Sequence, residues 1–223
     1  LGPFSIEEGL VETSNKITKV NVKSINTNAL ITLDVPTPDR KLKYSGDFKI
    51  DGVPGTGSQI LMNFKNLEGK TTGNLFPTGN TTDTFDGINV TCFDLATSMM
   101  ICDAKEFNIL GNENSKELNN NKKLLDKIEK IRLLAGKKMG MGDVKGKVLP
   151  KVSLLSKSIN ENSIVSRYFT PYSCHETHAV TGTCCVASSC LIPGTIGFNL
   201  LKKNESLDLK SEIIKIEHPM GTI

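Results

Sequence analysis

The strongest candidates for binding or catalytic residues lie at the start of a long uncharged stretch near the carboxyl end of the chain. Between Glu176 and Lys202 there is no lysine, arginine, aspartate or glutamate. Residues 183–192 are small or apolar on every side, which predicts a helix surrounded by other protein. The tripeptide Thr-Gly-Thr at 181–183 offers hydroxyl groups to cap this helix, and the Pro-Gly pair at 193–194 ends it.

The unpaired N–H groups and the positive dipole end at the start of such a helix favour binding of a carboxylate or a phosphate. Ser173, His175 and His178 lie just before this start and add polar groups to it. A simpler interpretation is an ordinary capped core helix, because every helix start carries these N–H groups. Taken alone, the residues leave both interpretations open.

The pentapeptide Cys-His-Glu-Thr-His that ends at His178 suggests a metal site as an alternative. The zinc protease motif requires two histidines four residues apart on a helix, whereas His175 and His178 are three apart. Cys174, His178 and one of two later cysteines could still bind zinc, but no Cys-x-x-Cys pair supports that site. A hydrogen-bonded cluster of Ser173, Thr183 and His178 is the commoner arrangement. We therefore predict no metal.

Cys184 and Cys185 fall near the predicted helix start, where the helix dipole lowers the pKa of a thiol and favours a nucleophile or base. Adjacent residues of a helix point in different directions, so both cannot serve, and a buried structural thiol is the alternative. The Gly-Thr-Gly at 55–57 lacks the GxGxxG spacing and a following helix. It predicts a turn and not a phosphate-binding loop.

Two hydrophobic patterns predict the elements that position these residues. Period-two alternation predicts strands, and one long amphipathic pattern over residues 120–139 predicts a surface helix. Its apolar stripe consists of Leu124, Leu125, Ile128, Ile131, Leu134 and Ala135. A short helix over residues 3–10 precedes the strands, a strand follows the buried helix, and residues 158–173 are interpreted as a connection into that helix. The other predicted strands lie at 17–25, 29–35, on both sides of a turn within 46–64, and at 88–95, 99–102, 150–156 and 210–217.

Composition excludes several classes of function. The 223 residues are 38% hydrophobic and 23% charged, as in globular proteins, and a net charge of +3 without aromatic-basic clusters argues against nucleic-acid binding. The mean hydropathy of -0.17, together with the Pro-Gly break, argues against a membrane span. The six cysteines are irregularly spaced and no signal peptide is visible, which indicates reduced thiols in a cytoplasmic protein.

Nine short segments resemble one family when they are taken in order along the chain. They are GPFSIEEGLV, INTNALI, GDFKIDGVPGTGSQI, GNLFPTGN, IRLLAGKKMG, PKVSLLS, HAVTGTCC, IPGT and HPMG. The set covers nearly the whole chain and resembles the family of 2-methylaconitate cis-trans isomerase and 3-methylitaconate isomerase. The tautomerase of 4-oxalomesaconate is a relative, and diaminopimelate epimerase is a distant one.

The resemblance implies a mixed α/β (α+β) fold of the diaminopimelate epimerase type. Each of two domains would be a β-rich half barrel around one central helix, with the active site between the starts of the two helices. The glycine-rich segment 66–80 is the expected linker. Residues 1–65 would then be a truncated first domain, residues 66–223 the second domain, and the uncharged helix its central helix.

In this family a cysteine in an Asn-Cys-Gly-Asn motif, assisted by a lysine, is the proposed acid/base. Both would lie before Leu1, so the chain is expected to be an internal fragment, and whether it is an enzyme by itself stays open. Four residues at three sites depart from the family or from its epimerase relative: Ser98-Met99 replaces the Asn-Pro of the family, Met220 replaces a serine of the family, and Thr181 replaces the second cysteine of the epimerase. A threonine cannot act as a thiolate base, which favours a one-sided proton transfer over racemisation by two bases.

The implied function is cofactor-independent isomerisation, by proton transfer, of small unsaturated di- or tricarboxylic acids such as methylaconitate. A non-catalytic relative that only binds a ligand is the alternative. The expected partners are a small carboxylate substrate and a second copy in a homodimer, with no nucleic acid and no membrane. The expected substrate-binding residues are Ser173, His178, Thr181, Gly182 and Thr183, with Asn26 and Asn28 from the first domain.

Overall fold

A computed structural model describes residues 1–25, 28–201 and 213–223. It divides into two compact units, Leu1–Leu67 and Glu68–Ile223. Within these described ranges, every helix is too short or too polar to cross a membrane.

The first unit is a short helix packed on an antiparallel sheet. Helix α1 (Gly2–Glu7) has proline in its first turn, where the missing N–H costs nothing. Three strands pair in chain order: β1 (Lys16–Lys23), β2 (Leu30–Thr37) and β3 (Leu61–Lys65). Val20, Leu33 and Val35 form the buried face, and Gly2 packs there so closely that an added Cβ would lie 2.7 Å from Val35 Cγ2.

Two isoleucines of the first predicted strand lie outside this core, and the strand ends two residues earlier than predicted. Ile17 is 52% exposed, and Ile25 is 92% exposed and follows the end of β1. The inward positions of β1 are 18, 20 and 22, so the strand buries Thr18 and not Ile17.

An apolar cavity of about 270 Å³ also lies in this unit, lined by Leu1, Gly2, Pro3, Val22, Ile31, Leu33, Ile60 and Met62.

The described residues of the second unit form a mixed seven-stranded sheet of order β10-β9-β8-β7-β6-β5-β4. The β6–β7 and β8–β9 pairs are parallel and the others antiparallel. The strands are β4 (Asp83–Phe85), β5 (Ile88–Leu95), β6 (Thr97–Asp103), β7 (Lys151–Lys157), β8 (Ser163–Phe169), β9 (Lys215–His218) and β10 (Gly221–Thr222). The last predicted strand, 210–217, corresponds to β9, which begins at Lys215. Residues 210–212 of that prediction lie outside the described residues.

Helices bridge both parallel pairs, as parallel strands require. Helices α2 (Ser115–Asn120) and α3 (Lys122–Lys138) join β6 to β7, and α4 (Val180–Ser189) and α5 (Ile196–Leu200) join β8 to β9. Neighbouring residues of one strand lie in different cores: Met100 packs with α3 residues, whereas Met99 packs with α4 and α5 residues. The central strands are therefore covered on both faces, which explains the nearly continuous burial of β5 and β6.

The amphipathic helix lies where the sequence predicts it, but it begins two residues later, at Lys122. Asn121 caps α3 by accepting a hydrogen bond from Leu124 N–H at 3.1 Å, and Asn114 caps α2 in a capping box with Glu117. Leu124, Ile128, Ile131 and Ala135 are buried as predicted, but Leu134 is 42% exposed. The predicted stripe is wider than the face that packs on the sheet.

Arg132 is a fully buried cation on α3 that ties the following loop to the helix. Its Nε and Nη2 donate to the two carboxylate oxygens of Glu129, at 2.6 and 2.8 Å. The remaining donors reach the carbonyl oxygens of Leu149 and Val144, both at 3.0 Å. Four hydrogen bonds thus compensate the loss of hydration of this one guanidinium group.

The uncharged segment forms a helix, but its bounds and surroundings differ from the prediction. Helix α4 begins at Val180 and ends at Ser189, three residues earlier than predicted at both ends, and helix α5 replaces the predicted strand. Cys185, Val186 and Ser189 are buried, whereas Val180 is 45% exposed. The helix is therefore enclosed along one side and not all round. The other side of the helix carries small side chains, such as Thr183, Ala187 and Ser188, which are only partly buried.

Candidate functional site

The start of α4 carries free backbone donors. Ala179 occupies the N-cap position, and no side chain caps the helix, so the predicted capping by threonine hydroxyl groups was wrong. Thr183 N–H already donates to the Ala179 carbonyl at 2.8 Å. The N–H groups without an acceptor inside the helix belong to Ala179, Val180, Thr181 and Gly182. Together with the helix dipole, these groups provide a binding surface for an anion.

His178 lies beneath this helix start, 6% exposed. Its Nε2 is 3.0 Å from Ser166 Oγ, and its Nδ1 is 3.2 Å from both the Ala179 carbonyl oxygen and Thr183 Oγ1. The Tyr168 ring stands 4.7 Å from the imidazole, centroid to centroid, at an interplanar angle of 36°. Both ring nitrogens thus have hydrogen-bonding partners inside the protein, and the ring packs between β8 and the first turn of α4.

Gly182 allows this close packing. A Cβ added there would lie 2.8 Å from Tyr168 Cε2 and 3.0 Å from His178 Cε1. Real Cβ atoms essentially never approach other atoms this closely, so a larger residue would push the helix away from the ring pair. The predicted residues His178, Gly182 and Thr183 therefore form one contact cluster.

The other predicted site residues are placed less closely. Thr181 is exposed at the helix start. Ser173 is exposed in the turn after β8, where its carbonyl accepts a hydrogen bond from Thr170 N–H at 2.9 Å. Asn28 belongs to the first unit and has a left-handed backbone with φ of 54°, while Asn26 lies outside the described residues. Substrate binding by all of these residues stays a prediction.

The two cysteines of the helix do not have the character of nucleophiles. Burial raises the pKa of the Cys185 thiol far above its ordinary value, and this thiol donates to the Thr97 carbonyl with a sulfur–oxygen distance of 3.8 Å. Burial also raises the pKa of the half-buried Cys184 thiol. Desolvation outweighs the helix dipole at both positions, and this disfavours the thiolate alternative.

The Cys-His-Glu-Thr-His segment is not folded as a metal site. His175 is exposed, and its Nδ1 accepts a hydrogen bond from Thr177 N–H at 3.0 Å, whereas His178 is turned into the core. Throughout the described part of the chain, no three or more histidine, cysteine, aspartate or glutamate side chains are grouped to hold a metal ion.

Three residues that contact or support His178 were not predicted from the sequence: Ser153 on β7, and Ser166 and Tyr168 on β8. Residues 158–173 were interpreted as a connection, although Ser163–Phe169 forms a central strand. Ser153 and Ser166 are fully buried, and their Oγ atoms are 2.7 Å apart. The available signal was the period-two spacing of Ile164, Ser166 and Tyr168, which is typical of a strand and places all three side chains on the face toward α4.

We expect the buried imidazole to make stability depend on pH. Burial lowers the pKa of His178 from 6.5 to about 4, with smaller lowering effects from His218 and His175, while the Ala179 carbonyl raises it. Between these two pH values the unfolded chain binds more protons at this histidine than the folded protein does. The contribution of the neutral His178 ring to folding stability is therefore complete above pH 6.5 and is lost as the pH falls toward 4. The loss attributable to this ring is on the order of 3 kcal/mol.

Urea unfolding of the wild-type protein and of His178→Gln at several pH values measures this effect. The difference in unfolding free energy between the two proteins should be largest near neutral pH and shrink as the solution becomes more acidic. A difference that stays constant over this range would contradict the buried neutral imidazole.

Comparison with known proteins gives the chain a family. The model of the PrpF protein family matches residues 1–223. The protein YbhH of Escherichia coli strain K12 is 40% identical over 223 residues, covering 100% of this chain and 62% of that protein. The 4-oxalomesaconate tautomerase of Pseudomonas putida is 35% identical over 221 residues, covering 99% of this chain and 60% of that protein.

A solved structure agrees with these matches. The crystal structure of a methylitaconate-delta-isomerase superposes with a TM-score of 0.86 at 33% identity, covering 100% of this chain and 62% of that chain. The chain thus spans slightly less than two thirds of the length of the proteins it matches. The mixed α/β, diaminopimelate epimerase-like fold expected from the ordered motifs is confirmed, and so is the resemblance itself. The chain belongs to the PrpF protein family.

Proposed function

We propose that this protein isomerises a small unsaturated di- or tricarboxylic acid such as methylaconitate, by proton transfer and without a cofactor. The observation that carries the proposal is the uncapped start of α4, supported by His178, in a chain of this family. We also propose a cytoplasmic location, because all six cysteines are free thiols.

In the proposed reaction a general base takes a proton from a carbon that is conjugated to a carboxylate, and the electron pair of the broken C–H bond spreads onto the carboxylate oxygens. The protonated base then gives a proton back to the anion. Delivery to a different carbon shifts the double bond, whereas rotation followed by delivery to the original carbon exchanges the cis and trans forms. The free N–H groups at the start of α4 would hold the developing negative charge. The hydroxyl groups of Thr181 and Thr183 would add donors, with Ser173 beside them.

Isomerisation in deuterium oxide tests this function. Methylaconitate and methylitaconate are incubated separately with the protein, and proton NMR follows both conversion and the incorporation of deuterium into the carbon skeleton. We expect conversion accompanied by deuterium exchange, at a rate that a metal chelator does not change.

Two results would contradict the proposal in different ways. Tight binding of both acids without conversion or exchange would indicate a protein that only binds its ligand. Loss of activity on chelation, restored by a metal ion, would refute the cofactor-independent reaction.

A further inference from the structure

A chain of hydrogen-bonded side chains connects the interior of the sheet to the start of α4. Ser153 Oγ and Ser166 Oγ are 2.7 Å apart, Ser166 Oγ is 3.0 Å from His178 Nε2, and His178 Nδ1 is 3.2 Å from Thr183 Oγ1. Both serines and the histidine are buried, whereas Thr183 is only half-buried at the helix start. The chain therefore runs from the core to the surface that the proposed function uses.

The contacts of the imidazole determine where its proton lies. A carbonyl oxygen can only accept, and Ala179 O is 3.2 Å from Nδ1, so the proton is on Nδ1. Nε2 is then the acceptor, and Ser166 O–H must donate to it. The lowered pKa of His178 agrees with a neutral ring that has one donor and one acceptor.

The Thr183 hydroxyl group can release its proton to a bound anion. Its Oγ1 donates to the Ala179 carbonyl at 3.1 Å. The Thr183 backbone N–H also donates to that carbonyl, at 2.8 Å, so the hydroxyl group can turn toward an anion without leaving the carbonyl unpaired. His178 Nδ1–H, 3.2 Å from Thr183 Oγ1, can then donate to the threonine oxygen, which holds that oxygen at the helix start with its own proton directed to the anion.

We propose that His178 is a positioning residue: as a neutral ring protonated on Nδ1, it orients the Thr183 hydroxyl group toward a carboxylate bound at the start of α4. This inference rests on the proposed function for the identity of the ligand. It changes the role expected from the sequence, because His178 acts through Thr183 and does not itself contact the substrate.

Two substitutions distinguish the roles of the two ring nitrogens. In His178→Asn the side-chain amide N–H can take the place of Nδ1–H. In His178→Gln the side-chain amide can take the place of Nε2 but does not reach the position of Nδ1. The dissociation constant of methylitaconate, measured by calorimetry, should rise about 10- to 100-fold in His178→Gln and only a few-fold in His178→Asn. Lys130→Met is the control, since the Lys130 side chain is 63% exposed on α3 and pairs with Asp86, and its dissociation constant should equal that of the wild type.

A double-mutant cycle distinguishes positioning from general damage to the fold. If His178 acts through Thr183, the double variant His178→Gln with Thr183→Val should bind methylitaconate no more weakly than Thr183→Val alone. Additive losses would overturn the proposal, as would wild-type affinity in His178→Gln.

Nitrogen NMR of the ligand-free wild-type protein provides a second test that is independent of any binding assay. It should show a protonated Nδ1 and an unprotonated Nε2 at neutral pH, and the reverse tautomer would overturn the proposal. Binding of methylitaconate without conversion would refute the proposed isomerase activity alone, because the dissociation constants of the variants would still decide the role of His178. Absence of any binding by the wild type would refute both.

Discussion

Thr183→Asp is expected to leave the protein folded while it weakens dicarboxylate binding by at least about 100-fold. An aspartate near a helix start interacts favourably with the helix dipole and can accept the N–H of His178, so the fold should tolerate it. A substrate carboxylate bound to the same helix end would then face a second negative charge about 4 Å away. That repulsion is roughly 4 kcal/mol at the effective dielectric constant of a protein surface.

Thr183→Asn is the matched control for this substitution because it has the same shape without the charge. Calorimetric titration with methylitaconate and thermal unfolding of all three proteins measure affinity and stability separately. We expect similar melting temperatures, with a much smaller loss of affinity for the asparagine variant. Equal affinities of the wild-type and aspartate proteins would show that the substrate does not bind at this helix end.

Arg132→Met is expected to lower the free energy of unfolding by about 3–5 kcal/mol. The substitution keeps an apolar stem of similar length but removes all four hydrogen bonds of the guanidinium group. The carbonyl oxygens of Leu149 and Val144 lose their donors, and the Glu129 carboxylate, whose side chain is only 26% exposed, loses its counter-ion. Unpaired groups of this kind are more destabilising than the original pair was stabilising.

Lys130→Met tests whether the loss of any cation on α3 has this effect. Lys130 pairs with Asp86, but their side chains are 63% and 52% exposed, so we expect a change of about 0–1 kcal/mol. Urea unfolding of both variants and the wild type gives the comparison. Equal destabilisation by the two substitutions would contradict a special role for the buried arginine.

The strands and the amphipathic helix could be predicted because each follows one hydrophobic period. The pattern 88–95 became β5, and the helix 120–139 became α3 with a start only two residues later. Helix α4 was harder to place because its own residues carry little amphipathic signal. Thr181 and Thr183 suggested caps, yet the Thr183 hydroxyl group binds the carbonyl of Ala179, so the helix begins before both of them.

The candidate site could be predicted only in part. The helix segment itself identified Gly182, Thr183 and His178, because they are close in sequence. Ser153 and Ser166 come from two different strands, and only the β7–β8 register, which pairs Ser153 with Tyr168 and Leu155 with Ser166, brings them under the ring. Side-chain contacts across strands depend on that register, and a single sequence does not determine it.

The separation of the two cores by one layer of sheet has a consequence for engineering this protein. Arg132 lies with α3 on one face, and Thr183 lies with α4 on the other, so substitutions at these positions share no partners and their free energies should add. Stabilising changes made on the α3 face can then compensate for destabilising changes that retune ligand preference on the α4 face. A library of variants at the start of α4 is best built on a background reinforced in that opposite core.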